Sequence, residues 1–130
     1  MGFNALMRAA TSTTTFACLA AMAVLSSCNG VSLDTERLNA IRVEAQTLMK
    51  SHQIEPPGAW ESVPKEQWPA TIAALHPTGV TVHTWGVDIT TKADFDGGYG
   101  YQVRRDKADL PMPLACYPEV GQDIFSYRPC

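Results

Sequence analysis

Between Leu33 and His52, apolar residues fall at Leu38, Ile41, Ala45, Leu48 and Met49. Steps of three and four mark one face of an α-helix. Ser32 or Asp34 can cap its start, and Asp34 and Glu36 suit the positive end of its dipole. Lys50 and His52 suit the other end, and Pro56-Pro57-Gly58 prevents continuation. A second, shorter element follows. Pro69 is tolerated in a first helical turn but not inside a helix, so the pattern predicts a turn at 65–68 and a helix from Pro69 to Leu75. Trp68, Ile72 and Leu75 then share one face, and His76-Pro77-Thr78-Gly79 ends it.

From Val80 onward the period changes to two. Val80-Thr81-Val82-His83 is apolar at even positions and Val87-Asp88-Ile89-Thr90 at odd ones. A phase flip around Thr84-Trp85-Gly86 is what a hairpin turn or bulge produces. Asp94-Phe95-Asp96-Gly97-Gly98 reads as a turn, and Tyr99 to Arg105 as a strand. Leu110-Pro111-Met112-Pro113 reads as an extended loop. Cys116-Tyr117, Pro118 to Gln122 and Ile124 to Tyr127 read as a last strand pair or irregular hairpin. The expected class is α+β: an amphipathic helix, then a short helix, both on one face of an antiparallel sheet of three to five strands.

Residues 1–27 do not continue this pattern. A short start with one arginine, Arg8, and a polar run, Thr11 to Thr15, lead into about ten uncharged, mostly apolar residues, Phe16 to Leu25. That run suits a signal-peptide core and is too short to cross a bilayer, which takes about 20. It ends in Leu25-Ser26-Ser27-Cys28. This tetrapeptide resembles the lipobox of bacterial lipoproteins: an aliphatic residue, two small residues, then cysteine. The resemblance implies cleavage before Cys28, acylation of its thiol and attachment to a membrane. Asn29, where aspartate would favour the inner membrane in enteric bacteria, implies the outer membrane facing the periplasm. The expected layout is a signal peptide over 1–27, a short lipid tether over 28–32 and one domain over 33–130. A tether of four or five residues spans only about 15 Å, so the domain is expected against the headgroups.

Cysteine counting agrees. Of four cysteines, Cys18 leaves with the signal peptide and Cys28 is acylated. Cys116 and Cys130 remain for an oxidising compartment, where a disulfide is expected. A metal or catalytic pair is the alternative, but metal-binding cysteines usually stand two to four residues apart with other ligands near.

Composition alters little. Of 130 residues, 45% are hydrophobic and 18% charged, as in ordinary globular chains. The formal charge of -3 becomes -4 once Arg8 is removed. Without a basic footprint, nucleic acid is excluded as an expected partner. Arg104-Arg105, with Lys107 nearby and flanked by Asp106 and Asp109, reads as solvated strand-end charge rather than a phosphate site.

Candidate chemistry is sparse. His83 could meet Asp88 across the predicted hairpin, which makes a small metal module or enzyme the alternative function; His52 and His76 fall elsewhere. Asp94-x-Asp96-Gly97 lacks the rest of a calcium loop, with Arg105 at its twelfth position, and suits a turn. No Gly-x-Ser-x-Gly or Ser/Lys nucleophile motif occurs. Trp85 at the hairpin tip, and Tyr99 with Tyr101 on one strand face, are candidate binding residues. The expectation is a non-enzymatic envelope lipoprotein with no metal or cofactor, meeting a protein or envelope partner. An inhibitor or toxin-neutralising immunity protein is one form, and a purely structural envelope protein a third class. The segment Trp68-Pro69-x-x-Ile72-x-x-Leu75-x-Pro77, with Gly86-Val87-x-Ile89, looks like a pattern in small bacterial proteins of unknown function. It covers about a quarter of the chain and implies no activity.

Overall fold

The structure, a computed structural model, describes residues 33–106 and 115–130. Helix α1 spans Thr35–Ser51 and buries Leu38, Ile41, Ala45, Leu48 and Met49, the expected stripe. Asp34 is the N-cap: its Oδ1 accepts the Arg37 N–H at 2.8 Å, using one of the donors a helix start leaves unpaired. Helix α2 covers only Ala70–Ala73, shorter than the expected 69–75. Its N-cap, Pro69, offers no side-chain acceptor. Glu44 of α1 substitutes, accepting the Thr71 and Ile72 N–H groups at 3.0 and 2.9 Å. A 3₁₀ turn at Lys65–Gln67 precedes α2. No helix among the described residues is long and apolar enough to cross a membrane.

Among the described residues the sheet has six antiparallel strands, one more than the upper expectation. They are β1 (Trp60–Ser62), β2 (Gly79–His83), β3 (Gly86–Lys92), β4 (Tyr99–Arg104), β5 (Glu119–Gly121) and β6 (Ile124–Tyr127), in the order β1-β2-β3-β4-β6-β5. The additional strand is β1, which precedes α2 rather than following both helices. The β2–β3 hairpin turns at Thr84-Trp85, with Val82 opposite Val87 and Thr81 opposite Asp88. Gly86 permits this packing, because a Cβ there would run into the Val103 carbonyl.

Register divides the sheet into two faces. Val80, Val82, Val87, Ile89, Val103 and Ile124 join Ile41, Ala45 and Leu48 in the main core. Each fully buried aliphatic side chain contributes about 1.5–3 kcal/mol. The far face holds a smaller cluster of Cys116, Tyr117 and Phe125, with Tyr127 against it. The Cys116–Cys130 disulfide, 5.6 Å between Cα atoms, ties the C-terminus to this cluster.

Helix α1 lies across the strands rather than along them. Near its start, Leu38 packs on Gly121 of β5. At its end, His52 Nδ1 lies 3.1 Å from Glu61 Oε1 on β1. Seventeen residues make a helix about 25 Å long, and six strands span about 24 Å at normal spacing.

Candidate functional site

Alternation along β3 and β4 sends Asp88, Thr90, Gln102 and Arg104 away from the helices, opposite in phase to Val87, Ile89, Tyr101 and Val103. On β6, Phe125 pairs with Gln102 and Tyr127 with Gly100. Gly100 leaves room for the Tyr127 ring, since a Cβ there would sit 2.7 Å from its hydroxyl.

These side chains form one connected network around Asp88. Its Oδ1 accepts from the Tyr127 hydroxyl at 2.8 Å and from Thr90 Oγ1 at 3.2 Å. Its Oδ2 accepts from Gln102 Nε2 at 3.1 Å. Gln102 Oε1 in turn accepts from Arg104 Nε at 3.0 Å. The amide thus relays between a buried guanidinium and a carboxylate. Burial raises the Tyr127 pKa well above the usual phenol value; the Thr90 hydrogen bond opposes this, and Asp88 adds to it. Tyr127 therefore stays protonated and donates.

The network ends in a stack at the β2–β3 turn. The Arg104 guanidinium carbon lies 4.0 Å from the Trp85 ring centroid. On Trp85, the His83 ring stacks at 4.5 Å with 15° between planes. Burial is the main cause that pulls the His83 pKa below its ordinary value; Asp88 opposes the shift and Arg104 reinforces it. His83 is thus neutral at pH 7. Its cross-strand partner is Trp60 of β1, and directly opposed residues share a face with Cβ atoms about 5 Å apart. Trp60 is 64% exposed. The row Trp60, His83, Trp85, Arg104 therefore runs from an open tryptophan to an anchored arginine.

The sequence candidates separate. Trp85 belongs to this row. Tyr101 lies on the helix side, half-buried against the main core, and burial raises its pKa. Tyr99 is 40% exposed with the Lys92 ammonium over its ring at 5.3 Å. The two tyrosines therefore form no common surface with Trp85. His83 and Asp88 share the far face, but Asp88 is engaged by Tyr127, Thr90 and Gln102 rather than by His83. Among the described residues, no group of three or more His, Cys, Asp or Glu is placed to hold a metal ion.

Arg104 corrects an expectation. It is 3% exposed, not a solvated strand-end charge, because Trp85 folds over its guanidinium and Gln102 accepts its Nε–H. Arg105, the next residue, is exposed. Lys107 and Asp109, and the expected loop at Leu110-Pro111-Met112-Pro113, lie outside the described residues, as do Cys28 and the predicted signal segment. Sequence reasoning missed Trp60, Gln102 and Arg104. The parity of β4 was the available signal for the last two.

Comparison of the chain with protein-family models, with curated proteins and with solved structures finds no match in any of the three.

Proposed function

We propose that this chain is a lipid-anchored, non-enzymatic binding module of the bacterial envelope. Cys28 carries the acyl chains, the outer membrane holds them, and the domain meets a protein partner in the periplasm through the Trp60 end of the far sheet face. The observation that carries the binding reading is Trp60: an open tryptophan beside a pre-stacked row of His83, Trp85 and Arg104. Tryptophan and arginine supply a disproportionate share of binding energy at protein interfaces. A row already held in place by stacking and hydrogen bonds loses little side-chain freedom when a partner arrives. The anchor rests on the lipobox and on the cysteine count, and several acyl chains give attachment that one alone does not.

Two experiments test this reading. A photoreactive residue at Ser62, on the face of Trp60, crosslinks a protein in intact cells, and Trp60→Ala in the same chain lowers the yield about tenfold, equivalent to about 1.4 kcal/mol. Equal yields overturn the surface. For the anchor, labelled palmitate enters the wild-type chain and not Cys28→Ser; labelling of both overturns it.

A further inference from the structure

Beside the last turns of α1 lies a cleft of about 330 Å³, within the roughly 300–1,000 Å³ typical of small-molecule sites. Met49 and Val103 supply its apolar lining, and Gln46, Lys50, Arg104, Arg105 and Asp123 its polar lining. Among the described residues, the ion pairs His52–Glu61 and Lys92–Asp94 lie elsewhere, and neither engages Lys50, Arg105 or Asp123 of the cleft. Of these three, two are held by the fold. The Arg105 N–H donates to the Trp85 carbonyl at 3.1 Å, and its Nε donates to Met49 Sδ at 3.4 Å. Asp123 sits in the β5–β6 turn with φ 61°, its carbonyl accepting the Arg104 N–H at 2.9 Å.

Met49, Lys50 and Arg105, with Glu55, line an adjoining cavity of about 310 Å³ that Asp123 does not reach. Lys50 and Arg105 thus stand where the two cavities adjoin, with Met49 shared between them, while Asp123, Arg104 and Val103 line the cleft alone. A simple anion would meet Asp123, and a simple cation would meet Lys50 and Arg105. A molecule carrying both charges complements the cleft's cations and its carboxylate.

We infer that this cleft binds a short zwitterionic peptide or amino acid: its carboxylate on Lys50 and Arg105, its ammonium on Asp123, and an apolar side chain on Met49 and Val103. Arg105 is suited to a carboxylate because its planar fork donates two parallel hydrogen bonds. The cleft borders the Trp60 row through Arg104, and the site does not depend on the lipid anchor.

The test is titration of the isotopically labelled protein with the dipeptide alanyl-leucine, read by amide NMR shifts. Its N-acetylated and C-amidated forms serve as controls. Saturable shifts are expected at Gln46, Lys50, Arg105 and Asp123, and blocking either end weakens binding about tenfold, or about 1.4 kcal/mol. Asp123→Asn abolishes the discrimination against the acetylated form, and asparagine tolerates the positive φ. Lys50→Gln with Arg105→Gln abolishes the discrimination against the amidated form. Three results each overturn the inference. One is no shift at these residues up to about 10 mM, where a Kd of about 1 mM would be nearly saturated. The others are equal binding of the blocked forms, and discrimination that survives in the variants.

Discussion

Replacing Asp88 with alanine removes the acceptor at the centre of the far-face network. Three donors lose it: the Tyr127 hydroxyl, Thr90 Oγ1 and Gln102 Nε2. Their losses differ. Gln102 is 5% exposed, so its amide hydrogen is stranded where water does not replace the carboxylate, at about 1–3 kcal/mol. Tyr127 has a substitute, since Thr90 Oγ1 lies 3.1 Å from its oxygen, and loses about 1 kcal/mol. Releasing a half-buried carboxylate from its desolvation returns part of the sum. Asp88→Ala is therefore expected to destabilise the protein by about 2–4 kcal/mol, through these stranded donors. Equilibrium urea unfolding followed by tryptophan fluorescence measures this. Asp88→Asn, which keeps one acceptor oxygen and the side-chain shape, should fall between alanine and wild type. A double-mutant cycle with Tyr127→Phe should show coupling of about 0.5–3 kcal/mol. An Asp88→Ala protein within about 0.5 kcal/mol of wild type, the range of ordinary surface changes, would refute the argument, as would strict additivity in the cycle.

Gly100→Ala should prevent the native β3–β4–β6 register, because its methyl overlaps the Ile89 carbonyl and the Tyr127 ring; loss of cooperative thermal unfolding checks this, and a native-like Tm contradicts it. His83 is neutral in the folded protein because burial lowers its pKa below about 6.5. The unfolded chain therefore takes up a proton first as pH falls, and this stability contribution is full above about 6.5 and lost through the lower folded pKa. Urea midpoints between pH 7 and 5 should drop more steeply for wild type than for His83→Gln; parallel curves count against it. Joint replacement of Cys116 and Cys130 by alanine opens a loop with a sequence separation of 14 and should cost about 3 kcal/mol by chain entropy; an unchanged urea midpoint would show that the bridge constrains nothing.

Helix α1 was legible because its buried stripe, acidic first turn and proline stop all agree. Strand β1 was not. Trp60, Glu61 and Ser62 are all exposed, so no alternation marks them, and only pairing with β2 makes them a strand. The tyrosines show a subtler limit. Parity correctly puts Tyr99 and Tyr101 on one face of β4. Which face meets the helices was undecided, because β4 buries residues on both sides: Val103 toward α1, and Gln102 and Arg104 away from it. Arg104 was misread for a related reason. A charged strand end is normally solvated, and what buries this one comes from other strands and from the turn that carries Trp85. The candidate surface depends in the same way on tertiary pairing, since Trp60 and Trp85 are 25 positions apart in the chain and meet only through His83.

The crossing of α1 over the sheet bears on how the proposed surface would be used. The start of the helix packs on β5 and its end reaches β1, so the segment entering at Leu33 and the open tryptophan at position 60 belong to opposite edges of the sheet, about 24 Å apart by strand spacing. With Cys28 acylated, the residues between it and Leu33 reach only about 15 Å. If the proposed anchor is present, such a tether would keep the β5 side nearer the headgroups and leave the β1 side to meet a partner. Reversing the helix across the sheet would bring Trp60 to the anchored edge, where a bilayer surface would compete for it. On the proposed anchoring, the contacts of Leu38 with Gly121 and of His52 with Glu61 would also decide which edge of the sheet is available.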